Sequence, residues 1–161
     1  MLGIRPYKSA DANTVLSWIR DEKMFYQWSA GKFGNYPITQ KEFSFVETMM
    51  PFVAFDESGI VGFFTLRTPN ASLYELRFGF IIVSPDVRGK GYGKAMLSLG
   101  LKFAFEIYGA RKVSLGVFEN NPSAYHCYKS LGFEDVNLDT PETYTIMGEE
   151  WKCKELIMEK P

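Results

Sequence analysis

The stretch from Leu73 to Phe118 constrains this chain more than any other. An apolar run, about Leu73–Val83, leads into the loop Ser84-Pro85-Asp86-Val87-Arg88-Gly89-Lys90-Gly91-Tyr92-Gly93-Lys94. Apolar residues then recur at Ala95, Met96, Leu99, Phe103 and Ile107, a helical spacing that Gly109 ends. Lys112–Phe118 follows and reads as a buried strand. Strand, helix and strand in that order predict a parallel pair joined by a right-handed crossover. A chain holding such a unit must build an α/β sheet with helices packed on it.

The flanking sequence fills in that sheet. A short strand at about Leu2–Pro6 precedes a helix from about Ala10 to Arg20, with Ser9 as its N-cap. Lys23–Tyr36 reads as an aromatic loop carrying Phe25, Tyr26, Trp28, Phe33 and Tyr36. Thr39-Gln40-Lys41-Glu42 has the form of a capping box and predicts a second helix ending before Pro51. Phe52–Phe55 and Ile60–Arg67 form a hairpin around Asp56-Glu57-Ser58-Gly59. Asn121-Pro122 opens a helix that ends near Leu131-Gly132-Phe133, and strands at about Thr143–Met147 and Trp151–Met158 close the chain. No linker or repeat divides the 161 residues, so one domain, 1–161, is expected.

Composition narrows the function. Eighteen basic residues against nineteen acidic ones give a net charge of −1, without the basic excess of a nucleic-acid binder. Cys127, Cys153 and the single His126 match no disulfide framework and no metal-ligand spacing, so no metal is expected. The chain shows neither a signal-peptide pattern nor an apolar run of membrane-span length, and a cytoplasmic protein with no membrane partner is the expectation.

The loop at Arg88–Lys94 carries the first chemical signal. A helix start offers unpaired N–H groups and a positive dipole end, glycines let a ligand approach the backbone, and Arg88, Lys90 and Lys94 add charge. Such a place suits phosphate. A Walker loop fails because Ala95 follows Lys94 where a hydroxyl is needed. A dinucleotide fingerprint fails because its third glycine falls on Met96. The alternative without a ligand is a solvated turn ahead of a helix.

The second signal is Val117-x-x-x-Asn121-x-x-Ala124-x-x-x-Tyr128-x-x-x-Gly132-Phe133. Asn121 and Tyr128 stand two turns apart on one helix face, about 10 Å along it, with the small Ala124 between them. Together with Arg88-x-x-Gly91-x-Gly93, this resembles the two hallmark motifs of the GNAT acetyltransferase family. The opening region, with Trp18-Ile19-Arg20-Asp21-Glu22 and Trp28-Ser29, is similar to its RimJ/RimL-like subgroup.

The resemblance implies a mixed, mostly antiparallel sheet of about seven strands with a splayed parallel pair, Leu73–Val83 and Lys112–Phe118. It implies acetyl-CoA as co-substrate, held by Ile81, Val83, Arg88, Gly89, Lys90, Gly91, Tyr92, Gly93, Lys94, Asn121 and Tyr128. It implies a bulge at Val83 whose N–H groups polarise the thioester, and Tyr128 as the acid that protonates the departing thiolate.

Each residue also has a plainer reading. Asn121 is an ideal N-cap, Tyr128 can be core, and Tyr125 is the alternative phenol. His126 and Cys127 are read as structural, because adjacent helical positions do not face each other. The general base is open. By strand alternation Glu75, Arg77, Gly79, Ile81 and Val83 share one face, which makes Glu75 a candidate acting through water; a solvated or ion-paired Glu75 is the alternative, and Glu22 is more remote. The expected activity is acetyl transfer to a primary amine, either a protein N-terminus or a small molecule, by a monomer or homodimer. A non-catalytic acyl-CoA sensor on the same fold is the alternative.

Overall fold

The computed structural model describes residues 1–161. Strand β1 (Gly3–Pro6) leads through a 3-10 turn at Ser9–Asp11 to α1 (Ala12–Ser17) and α2 (Glu22–Ser29). Three antiparallel strands follow: β2 (Met49–Asp56), β3 (Gly59–Arg67) and β4 (Glu75–Val83). Helix α3 (Tyr92–Lys102) runs on as a π-helical turn to Tyr108, and β5 (Lys112–Phe118) leads to α4 (Pro122–Leu131). The short β6 (Glu134–Asp135) and the hairpin β7 (Glu142–Ile146) and β8 (Glu149–Glu159) complete the chain. The sheet runs β1-β2-β3-β4-β5-β8-β6, with β7 also on β8. Only β4–β5 is parallel, so the sheet is mixed and mostly antiparallel, with the two-residue β6 added to the seven expected strands.

The sheet buries both faces. One face packs under α3 and α4 around Phe64, Leu66, Leu76, Phe78, Met96, Leu97, Leu115 and Leu156. The other packs under α1, α2 and the aromatic segment that follows, around Val15, Phe25, Trp28, Phe43 and Phe63.

The first fifty residues depart most from expectation. The helix expected from Ala10 is only six residues long, because Asp11 is drawn inward: its carboxylate takes Arg5 at 2.9 Å through both nitrogens and the Lys8 N–H at 2.8 Å. The expected loop at Lys23–Tyr36 contains a helix instead. Asp21 caps α2 by accepting from the Met24 N–H at 2.8 Å, and Phe25 and Trp28 turn inward three residues apart.

The helix expected from Thr39 is absent, although its capping contact forms: the Thr39 N–H and hydroxyl both donate to Glu42, at 2.9 and 2.6 Å. Phe43 and Phe45 meet each other and Phe63 with ring centroids 4.9–5.8 Å apart. Residues two apart cannot share a helix face, so this packing requires extended backbone.

In α3 the buried positions are Met96, Leu97, Gly100 and Leu101, then Ala104 and Phe105. Ile107, assigned inward by spacing, is 73% exposed. The Phe78 ring sets this phase, since a Cβ on Gly100 would stand 2.8 Å from it.

Candidate active site

Strands β4 and β5 pair at only three positions, Glu75 with Lys112, Leu76 with Val113 and Arg77 with Ser114. Beyond Arg77 they part. A cavity of about 450 Å³ opens there, walled by β4 from Phe78 to Val83, by Gly116 and Val117, and by the starts of α3 and α4.

A bulge shapes the β4 wall. Thr65 pairs with Gly79 and Phe63 with Ile82, so β4 holds one residue more than β3 and neither Phe80 nor Ile81 has a partner there. Phe80 takes φ +50°, rare for a bulky side chain, and its carbonyl accepts from Trp28 Nε1 at 2.8 Å. The alternation therefore inverts. Leu76 and Phe78 face α3, whereas after the bulge Ile81 and Val83 face it and Phe80 turns to the α2 side. This corrects two expectations. The bulge lies at Phe80–Ile81 and not at Val83, which pairs with Gly62. Glu75, Arg77 and Gly79 do not share a face with Ile81 and Val83.

The loop after β4 forms the far end of the cavity. Gly89 and Gly91 hold φ +76° and +79°, and no heavy atom lies within 4 Å of where their Cβ atoms would stand. Gly91 is the N-cap of the eleven-residue α3 and offers no side chain to its N–H groups, which leaves them for a ligand. Arg88 lines this end; burial and the neighbouring Arg20 lower its pKa against the pull of Asp21. Tyr92 also lines it, its hydroxyl donating to Asp56 at 2.8 Å. A glycine-rich helix start beside a guanidinium fits the diphosphate of an acyl-CoA.

Helix α4 forms the opposite wall. Asn121 caps it, accepting from the Ala124 N–H at 3.3 Å, and lines the cavity as well, so its two readings coexist. Tyr128 lines the cavity at 7% exposure. Its hydroxyl makes no hydrogen bond within the chain. Burial, and then the adjacent Cys127, push its pKa far up, so the phenol holds its proton at neutral pH. Tyr125 is engaged elsewhere, with its hydroxyl on Asp135 at 2.9 and 3.0 Å and the Lys154 ammonium 4.4 Å from its ring centre.

Of the residues expected against coenzyme A, Ile81, Val83, Arg88, Gly89, Gly91, Tyr92, Gly93, Lys94, Asn121 and Tyr128 line this cavity. Lys90 does not. Glu75 does not either: Lys112 lies 3.3 Å from its carboxylate, Ser114 donates to it at 3.1 Å and Asn70 at 3.4 Å, on the face opposite Ile81 and Val83. The sequence reading missed Met24, Gln27 and Trp28, which α2 brings to the cavity, and Cys127. The Asp21 cap was the signal for the first three. The Cys127 thiol is pushed up by burial, so it is not a poised thiolate.

A second cavity of about 120 Å³ adjoins the first. Both touch Gln27, Trp28, Phe78, Gly79, Phe80, Gly116 and Val117, the point where β4 and β5 separate. Its other walls include Lys32, Thr65, Arg67, Arg77, Tyr144 and Cys153. Arg77 is fixed there by Glu155, at 2.7 and 3.0 Å, and by Ser114 at 3.2 Å. Gly116 makes room for it, since a Cβ would come within 3.0 Å of the guanidinium.

Comparison with known proteins agrees with this arrangement. Residues 13–133 match the family described as "Acetyltransferase (GNAT) family". A spermidine N(1)-acetyltransferase of Vibrio cholerae is 36% identical over 53 residues, which is 33% of this chain and 31% of that protein. A mycothiol acetyltransferase of Rhodococcus jostii is 31% identical over 93 residues, 56% of this chain and 30% of that protein. These matches thus span about a third of each relative's length. Among solved structures, the Vibrio cholerae spermidine N-acetyltransferase in complex with CoA and spermine superposes with a TM-score of 0.82 at 22% identity, covering 98% of this chain and 95% of that one. A putative phosphinothricin N-acetyltransferase superposes with a TM-score of 0.78 at 20% identity, over 100% and 99% of the two chains.

Proposed function

We infer that this chain, which belongs to the acetyltransferase (GNAT) family, transfers an acetyl group from acetyl-CoA to a primary amine. The observation that carries the reading is Tyr128: a buried phenol without an internal partner, in a cavity that ends at a glycine-lined helix start. The phenol is packed in the core and lines the cavity, where a bound ligand can meet its hydroxyl.

In this reading Gly89, Gly91 and the first N–H groups of α3 hold the diphosphate, with Arg88 and Lys94 beside it. Asn121 and Ala124 flank the pantetheine arm. Main-chain N–H groups of the Phe80–Ile81 bulge polarise the thioester carbonyl. The amine nitrogen bonds to the carbonyl carbon, the carbon–sulfur bond breaks, and Tyr128 gives its proton to the sulfur. The amine's own proton leaves through water at the cavity junction, where no carboxylate lines either wall.

Every residue in this scheme comes from one chain, whether the protein acts as a monomer or a homodimer. Free Cys127 and Cys153 suit a reducing compartment such as the cytoplasm, and no helix is long and apolar enough to cross a membrane. For the acceptor, RimJ/RimL-like similarity of the opening region suggests a protein N-terminus, and the relatives' names suggest spermidine, spermine or mycothiol-type amines.

The test is coenzyme A release across a panel of amines, together with calorimetric titration of acetyl-CoA. Release with at least one amine is expected. Tight acetyl-CoA binding with no amine consumed would make the chain an acyl-CoA sensor.

A further inference from the structure

Two cations of the second cavity form no ion pair within the chain. Arg67 is half-buried on β3, and Lys32 stands at the mouth in the turn after α2. Neither side chain has a carboxylate within salt-bridge distance or a hydrogen-bond partner. Arg77 is matched, because Glu155 takes both of its ends. The exposed Glu142 lies near Lys32 and already accepts the Tyr144 hydroxyl. Thr65 adds an independent observation. It is 1% exposed, lines this cavity, and its hydroxyl has no hydrogen-bond partner. A desolvated cation and a buried unpaired hydroxyl both cost free energy in the free protein. One oxyanion in the cavity relieves both.

We propose that the acceptor is a small primary amine bearing an oxyanion, a carboxylate or a phosphorus oxyacid, which Arg67, Lys32 and the Thr65 hydroxyl hold while the amine faces the junction of the two cavities. This rests on the acetyl-transfer reading above. The size agrees: a cavity of roughly 150 Å³ takes a molecule as large as benzene, and this one of about 120 Å³ takes an amino-acid-sized group. The charge argues against a polyamine, whose ammonium groups would meet the two unpaired cations, Arg67 and Lys32, in this space. Burial first and then Arg77 hold the Arg67 guanidinium below its ordinary pKa against the pull of Glu155, and desolvation first, then Arg67 and Arg77, do the same for Lys32 against the pull of Glu142.

The test compares amines that differ only in the anion. Amino acids, their primary amides, aminoalkylphosphonates and spermidine are assayed with acetyl-CoA. The amides stand in for a peptide N-terminus. We expect the best amino acid or phosphonate to exceed its uncharged counterpart in kcat/KM by roughly 10- to 100-fold, the range of a charge-assisted hydrogen bond. In Arg67→Gln that ratio falls towards one while the uncharged amines are little changed. Lys32→Gln, at the exposed mouth, reduces the ratio without risk to folding. Best turnover of spermidine or of the amides by the native chain overturns the proposal, as does an unchanged ratio in Arg67→Gln.

A binding arm separates this from failure of the transfer reading. N-acetyl amino acids and their uncharged amides are titrated by calorimetry into native protein and Arg67→Gln. Native protein that prefers the acids, with no amine acetylated, keeps the anion pocket and defeats the transfer reading. Equal binding of acids and amides by native protein defeats the anion pocket.

Discussion

The two cavities that meet at the β4–β5 separation are built on different principles. The larger one is made mostly of short consecutive runs: Phe78 to Val83 on β4, the loop and helix start around Arg88, Gly89 and Gly91 to Lys94, and the face of α4 from Asn121 to Tyr128. The contacts proposed for its ligand are largely main-chain N–H groups, which any sequence supplies once glycine permits the approach. The smaller one draws Lys32, Thr65, Arg77, Gly116 and Tyr144 from five separate parts of the chain, and side chains give it its character. A site of the first kind is written in a motif. A site of the second kind exists only after folding, and it is the one proposed to choose the acceptor.

Substitutions can break or sharpen that contrast. The largest effect is expected at Gly91. Gly91→Asp sets a negative charge at the proposed diphosphate site, and acetyl-CoA affinity should fall at least about 100-fold by calorimetry. Gly91→Asn carries the same backbone strain at φ +79° without the charge, and its loss should be much smaller. Equal losses would mean that backbone shape matters here and anion recognition does not.

Tyr128→Phe comes next. It should lower turnover by about 100-fold, the low end for a positioned general acid, with acetyl-CoA affinity nearly unchanged. Full activity would remove the acid role. Tyr125→Phe, measured beside it, should leave turnover intact, because that hydroxyl is held by Asp135.

On the acceptor side, Thr65→Val keeps the shape and removes the unpaired hydroxyl. The free protein should gain about 1 kcal/mol in a thermal or denaturant melt while kcat/KM for the best acceptor falls several-fold. Lower stability would show that the hydroxyl has a partner in the free protein.

The smallest effect is expected at Glu75. Glu75→Gln should change kcat by less than about three-fold and leave the pH–rate profile in place, since a true general base would cost about 100-fold or more. Loss of the basic limb of that profile would restore Glu75 as the base.

This contrast also explains what the sequence disclosed. The β3-to-α4 core was legible because strand periodicity, two glycine-rich caps and Asn121-Pro122 are local signals that tertiary packing then obeyed. Region 20–48 was not. Thr39 and Glu42 made their capping contact and no helix followed, because Phe43 and Phe45 were needed in the aromatic cluster. Local preference lost there to packing against Phe63, about twenty residues further along the chain. The face shared by Glu75 with Ile81 and Val83 was misjudged because period-two counting assumes an uninterrupted strand, whereas its ion-paired reading agrees with the Lys112 contact. Nothing in Gly79-Phe80-Ile81 announces an inserted residue, and Arg67 became significant only once Arg77 was seen to be taken by Glu155.

The bulge at Phe80–Ile81 has a consequence for descent. By inverting the alternation partway along β4, it turns Ile81 and Val83 to the α3 side, where the proposed coenzyme A site lies, and Arg77 to the opposite face, where the second cavity lies. Mutations that retune the acceptor therefore need not touch the residues that hold coenzyme A. A lineage can exchange one amine for another by accumulating changes at positions such as 65, 67 and 77 while its acetyl donor stays fixed. A one-residue deletion within the bulge would couple the two again, turning Ile81 and Val83 to the opposite side.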